Sequence, residues 1–265
     1  MAHDASTQVG YADAIIETLL DSAVAGTRMQ SSAARSPWLV GLSGVQGSGK
    51  STLARQLVAH AEARGIRAHF ISLDDFYMGR RARAHLARST HPLLATRGVP
   101  GTHDIGLLLR TLRDLAHASE RKPAALPRFD KGRDTRLPPS HWRRVTKRPQ
   151  LIVLEGWCVG VPAQSPRALV RPLNALERDE DRDGRWRRWV NAQLAGMYAS
   201  LWKKIDTLIV LQAPSFARVS QWRDEQERAL RRRRASRAMN AASLARFLLH
   251  YERLSRHALR ELPAR

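Results

Sequence analysis

The sequence predicts an α/β fold, a parallel sheet covered by helices on both faces. Three observations predict it. Short apolar runs at Trp38–Ser43, Ala68–Leu73, Leu151–Leu154 and Thr207–Leu211 have the length and composition of buried strands, and helical periodicity alternates with them. A glycine-rich turn joins the first run directly to a helical segment. The chain has 265 residues, 43% of them hydrophobic, so it can bury a substantial core and is too apolar for a disordered polymer.

The elements follow in order. Residues 11–26 place Ile15, Ile16, Leu19, Leu20 and Ala23 on one helical face, with Gly26 as the expected C-cap. Thr27–Pro37 is a Ser/Ala-rich connector, so residues 1–37 form an N-terminal helix and link ahead of a single domain over 38–265. After the first strand, helical periodicity runs from Lys50 to about Arg64. The second strand ends in Asp74-Asp75. The segment 77–150 is basic and rich in Pro and Gly, with a helix expected at Ile105–Ala118; it reads as an insertion carrying substrate loops. The third strand ends at Glu155. Pro162–Arg185 reads as mixed loop and Trp186–Ile205 as helical. After the fourth strand come two Arg-rich helices, Phe216–Arg234 and Ala242–Leu262.

The formal net charge is +21, and only six of the 45 basic residues are Lys. Such a field attracts phosphorylated or carboxylated ligands, and nucleic acid non-specifically. The arginines show no regular aromatic interleaving and no known nucleic-acid module, so a specific nucleic-acid partner is not expected. The most apolar stretch, Leu151–Val161, is too short to span a bilayer and contains Glu155. The N-terminus lacks a basic region followed by an apolar run, and Cys158 is the only cysteine; both features suit a cytoplasmic protein. Oligomeric state is not legible.

The sharpest local signal is Gly44-Val45-Gln46-Gly47-Ser48-Gly49-Lys50-Ser51, which fits G-x-x-x-x-G-K-[ST] between a strand and a helix. Gly44, Gly47 and Gly49 let backbone N–H groups fold toward an anion, and the helix start adds its positive end. Gln46, Ser48 and Thr52 complete the expected cradle. Lys50 is suited to the β- and γ-phosphates and the Ser51 hydroxyl to Mg²⁺. The competing reading is an ordinary glycine-rich turn. The motif makes the fold class a P-loop NTPase-type sheet that binds a nucleotide with Mg²⁺, without naming the chemistry.

Ligand crevices of open parallel sheets lie at the carboxyl ends of the strands. Asp74 and Asp75 stand at one such end, so one can act as a base toward an acceptor hydroxyl while the other turns to metal or caps a helix. Glu155 stands where an acid holds a metal through water. Trp157 either floors a pocket or joins the core, and Cys158 reads as a small buried residue. Tyr77, and the loop residues Thr102, His103, Asp104, Arg128 and Lys131, combine polar groups and charges suited to an anionic, hydroxylated acceptor; a merely solvated loop is the alternative. Residues 216–240 read as an Arg-bearing lid, with Arg223 the best-placed side chain.

Taken together, GVQGSGKST, SLDDFY, RGVPGTHD, PRFDK, LEGWCVG, NALERDEDRDGRW and WRDEQERAL resemble the D-glycerate 3-kinase family and its bacterial kinase-like relatives. The resemblance runs from Trp38 to the C-terminus. It implies a P-loop kinase near uridine kinase and phosphoribulokinase, transferring the γ-phosphate of ATP to a small hydroxylated acceptor. It makes Asp74 the acceptor base and Glu155 the metal-side acid. Two features depart from the family pattern. Gly132-Arg133-Asp134 stands where members tend to carry Gly-Asp-Arg, and relatives continue past the position of Arg265 with a further strand that lines the adenine pocket. A P-loop kinase for another metabolite, or a basic nucleic-acid-binding ATPase, are the alternatives.

Overall fold

The computed structural model describes residues 10–28, 36–232 and 240–264. Its centre is a four-stranded parallel sheet of β1 (Trp38–Gly44), β2 (Ala68–Ser72), β7 (Leu151–Gly156) and β8 (Thr207–Leu211), ordered β2-β7-β1-β8. Every residue of β7 is buried, as a strand covered on both faces requires. The register puts Ser72 and Leu42 beside Glu155, and Ser43 beside Gly156 and Val210. All strands therefore deliver their carboxyl ends to one level.

Helices cover both faces. On one, α1 (Asp13–Arg28) and α2 (Lys50–Ala63) bury Ile16, Leu20, Leu53 and Leu57 against Val40, Leu42 and Val153. On the other, α4 (Ile105–Ala116), α7 (Ala199–Trp202) and α9 (Ala241–Glu261) pack Leu108, Leu201 and Leu254 against Leu39, Ile152 and Leu154. The alternating strand faces thus serve two cores. No helix among the described residues is long and apolar enough to cross a membrane.

Three boundaries differ from expectation. The first helix continues through Gly26 to Arg28, so Gly26 is not its cap. The stretch expected to be loop contains α5 (Ala175–Glu180), whose Asn174 side chain accepts from the Glu177 N–H and closes its N-terminus. The helical pattern at 186–205 is broken into α6 (Arg185–Gln193), a π turn at Leu194–Tyr198 with non-helical Gly196, and α7. The insertion holds α3 (Arg80–Ser89), α4 and two small antiparallel pairings, β3 (Ala124–Leu126) with β6 (Arg143–Val145) and β4 (Phe129–Asp130) with β5 (Thr135–Arg136). The last helices are α8 (Phe216–Arg232) and α9; residues 233–234 of the arginine run lie outside the described residues.

Candidate active site

The phosphate loop spans the turn from β1 to α2. Gly47 and Gly49 adopt φ of 83° and 84°, the left-handed region open to glycine, and a Cβ on Gly44 would lie 2.6 Å from Ser48 Oγ. The Ser48 N–H is used internally, donating to the Val45 carbonyl at 3.2 Å. The N–H groups of Gly49, Lys50 and Ser51 have no partner among the described residues, and no acidic side chain stands in the first turn of α2. Unpaired amides at a positive helix end form an anion cradle. The Lys50 ammonium folds back to the Val45 carbonyl at 3.5 Å. Both polar atoms of the Gln46 amide are buried without a partner. Thr52 donates its N–H to the Gly49 carbonyl.

The acids sit beside this loop. Asp74 and Asp75 ride on a 3₁₀ turn, Leu73–Phe76, directly after β2. Half-buried Asp74 accepts from Lys131 Nζ at 2.6 Å. Burial pushes its carboxyl upward, but the Lys131 ammonium, then Lys50 and His103, overcome this and hold it at about 2. Asp75 instead accepts from the Phe129 N–H at 3.0 Å, and burial raises its pKa, with Asp74 and Glu155 adding to the rise. Asp75 thus ties the PRFDK loop to the strand end. Glu155 is 4% exposed and its Oε2 has no partner. A carboxylate oxygen left bare in the interior is a natural metal or water ligand. Among the described residues no cluster of three or more His, Cys, Asp or Glu forms a closed metal cage. The Ser51 hydroxyl and Glu155 therefore fit Mg²⁺ bound mainly through phosphate and water, the usual manner for this ion.

The loops expected to bind substrate are fastened by aromatic side chains. Gly98 (φ 140°) lies under Tyr251, where a Cβ would come within 1.9 Å of the hydroxyl. That hydroxyl donates to the Arg97 carbonyl at 3.1 Å, and Trp157 Nε1 donates to the Gly98 carbonyl at 3.1 Å. Trp157 thus supports the loop from the core. The π turn brings Tyr198 Oη to the Gly101 N–H at 2.9 Å and to His103 Nδ1 at 2.7 Å. Tyr198 Oη thus accepts from Gly101 and shares a hydrogen bond with His103 Nδ1, while the other ring nitrogen, Nε2, is buried with no partner. Burial lowers His103 to about 4, so the ring is neutral near pH 7. Tyr77 stacks on it at 4.4 Å and meets Phe129 edge-on at 5.5 Å.

Other expected substrate residues have structural partners. Thr102 is fully buried and bonds Val99 and Gly98 within its own loop. Asp104 caps α4 by accepting from the Leu107 N–H at 2.8 Å. Arg128 is exposed, and its carbonyl accepts from the Leu137 N–H. Cys158 is fully buried, and burial raises its thiol pKa, which keeps it inert. Sequence reasoning missed Arg83, which pairs with Asp134, a non-glycine residue at φ 54°; Arg97, at the head of the RGVPGTHD motif, pairs with the same Asp134 and lies over the Phe129 ring at 5.7 Å. It also missed Tyr198 and Tyr251. Their one signal was scarcity. The chain has four tyrosines, and Tyr11, Tyr77, Tyr198 and Tyr251 all meet the phosphate or substrate loops.

On the segment expected to be a lid, Arg218 bonds Gln221 at 2.7 Å and Arg228 pairs with Asp224 at 2.5 Å, both within α8. Arg223 faces inward: its charge, with that of Arg97, opposes the rise that burial and Asp74 impose on the Tyr251 hydroxyl. Phe216 and Val219 of α8 join Leu244 and Leu248 of α9 around Val45 of the phosphate loop, so the base of this segment is packed onto the loop itself.

The comparisons with known proteins agree with this geometry. The chain is 32% identical over 250 residues to an uncharacterized kinase of Schizosaccharomyces pombe, covering 89% of this chain and 86% of that one. It is 30% identical over 205 residues to the chloroplastic D-glycerate 3-kinase of Arabidopsis thaliana, covering 74% of this chain but only 42% of the plant protein. The chain belongs to the P-loop kinase family of D-glycerate 3-kinase and its kinase-like relatives. The solved D-glycerate 3-kinase of Cryptococcus neoformans superposes on the kinase with a TM-score of 0.73 at 25% identity, over 91% of this chain and 88% of that one. No protein-family model matches the sequence. The kinase is thus a small-molecule phosphotransferase whose phosphate loop, Asp74 and Glu155 meet at one end of the sheet.

Proposed function

We propose that this kinase transfers the γ-phosphoryl group of ATP to a hydroxyl of a small hydroxy acid, with D-glycerate as the acceptor. The observation that carries the reading is the Asp74–Lys131 pair, 2.6 Å apart, two residues past Ser72, which pairs with Glu155. A carboxylate there can orient an acceptor hydroxyl and take its proton, while a displaceable ammonium and Arg97 across Phe129 suit a substrate carboxylate. The names of the plant and fungal D-glycerate 3-kinases support this choice of acceptor.

In this reading the N–H groups of Gly49, Lys50 and Ser51 and the Lys50 ammonium hold the triphosphate. Ser51 and Glu155 hold Mg²⁺, which supplies charge neutralisation at the phosphates. Asp74 aligns the acceptor hydroxyl, and His103 hydrogen-bonds an acceptor oxygen through its unpartnered Nε2. Residues 77–150 form the acceptor-binding insertion, and 216–240 the lid whose Arg223 neutralises the transferring group and excludes water. The inert, buried Cys158 accords with a cytoplasmic setting.

A coupled ADP-release assay across D-glycerate, pantothenate, uridine and simple sugars tests the acceptor. D-glycerate is expected to raise turnover well above basal ATP hydrolysis. Stimulation by another member of the panel, or by none, overturns the assignment.

A further inference from the structure

The phosphate loop does not hold its shape alone. The Ser48 carbonyl accepts a hydrogen bond at 2.9 Å from the hydroxyl of Tyr11, which lies 37 residues earlier, just ahead of α1. Tyr11 is itself fixed to α2. Its N–H donates to Gln56 Oε1 at 3.0 Å, and its carbonyl accepts from Gln56 Nε2 at 3.1 Å. Gly10 leaves room for this arrangement, since a Cβ there would lie 2.5 Å from Gln56 Nε2 and displace the amide. Behind this anchor, Ile16 and Leu20 are fully buried, Glu17 joins His60 at 2.6 Å, and Asp21 joins Arg64 at 2.6 Å.

A trans peptide is planar, so the Ser48 C=O and the Gly49 N–H point in opposite directions. A hydroxyl that draws the carbonyl to the back of the loop turns the amide toward its concave side. The same hydroxyl stands 2.8 Å from where a Cβ on Gly49 would be, so it also supports the left-handed turn at that residue. We propose that Tyr11 is a positioning residue for nucleotide binding, aiming the Gly49 N–H at the phosphates from an element outside the loop motif. Burial raises the Tyr11 pKa, so the phenol remains a proton donor across the working pH range. The proposal rests on reading the loop as a triphosphate site, but not on the identity of the acceptor.

The test is Tyr11→Phe in the full chain, which removes one oxygen and leaves the ring. Calorimetric titration with Mg-ATP, and with inorganic pyrophosphate as a probe of the cradle alone, is expected to show about five- to tenfold weaker binding of both. The KM for ATP should rise by the same factor, with kcat and the acceptor KM unchanged. Ile16→Ala serves as the structural comparison, since it loosens α1 while keeping the hydroxyl. It should lower the melting temperature more than Tyr11→Phe does, with a smaller loss of pyrophosphate affinity. Unchanged ATP and pyrophosphate affinity in Tyr11→Phe would overturn the proposal while leaving the nucleotide site standing. So would an affinity loss that only tracks melting temperature across both variants. If the unaltered chain binds neither probe, the nucleotide reading falls and this proposal falls with it.

Discussion

Asp74 is held as a carboxylate by its neighbours, which makes it a firm hydrogen-bond acceptor and a weak base. With its pKa at about 2, it is far from the value that best matches proton transfer near neutrality. In the proposed reaction its work is therefore alignment, with the proton arriving late, as a loose phosphoryl-transfer transition state permits. Asp74→Asn is expected to lower kcat by about 10²–10⁴-fold while ATP affinity stays within about twofold, measured by steady-state turnover beside an ATP titration. The pH dependence has a definite sign. A carboxylate whose folded pKa lies below its unfolded value of about 3.9 stabilises the fold above that pH and loses the contribution as pH falls toward about 2. Lys131→Met removes the partner that holds it down. The acid limb of kcat/KM is then expected to move to higher pH, and an unmoved limb would remove Asp74 from the rate-controlling ionisation.

The elements that build the acceptor side are fastened by buried ion pairs. Glu177 of α5 is fully buried and takes Arg253 of α9 in two 2.6 Å bonds, while Arg253 also donates to the Ala168 and Arg171 carbonyls. Asp181 pairs with Arg187 at 2.9 Å and accepts from the Trp186 N–H at 2.7 Å. The NALERDEDRDGRW segment is thus a bracket that sets α9, and through Tyr251 the 97–98 turn, rather than a set of groups at the chemistry. Removing one partner of such a pair strands the other charge, so Glu177→Ala is expected to cost about 3–5 kcal/mol in chemical denaturation. A change below about 1 kcal/mol would show that water replaces the carboxylate without penalty. The strands and most helices were legible because apolar runs and helical periods are local signals. The Asn174 cap, the π turn and the 129–136 pairing were not, since they satisfy tertiary partners. The acids at the ends of β2 and β7 were singled out from position alone. Their division of labour was not, because Asp74 and Asp75 are chemically identical until Lys131 and the Phe129 N–H separate them.

At the scale of the whole molecule, part of the positive charge behind the net +21 is paired among the described residues. Arg83, Arg187 and Arg253 are drawn inward to carboxylates or carbonyls, and Arg64, Arg97 and Arg246 also have acidic partners. What remains is expected to attract polyanions by charge alone. Affinity for a random oligonucleotide, followed by fluorescence anisotropy, is expected to fall steeply between about 50 and 200 mM salt. Tight binding that persists at about 150 mM would favour a nucleic-acid role.

The sequence by itself determined the fold class, the phosphate loop and the acids at the strand ends. Each of these is written in neighbouring residues: an apolar run, a glycine spacing, the residue that follows a strand. Only the tertiary structure decided which side chains hold those groups in place. The Tyr11 hydroxyl reaches Ser48 across 37 residues and the Tyr251 hydroxyl reaches Arg97 across 154, separations at which no local pattern constrains the partner. Such pairings exist because a buried hydroxyl must find an acceptor, and the packing of the helices settles which carbonyl is within its reach.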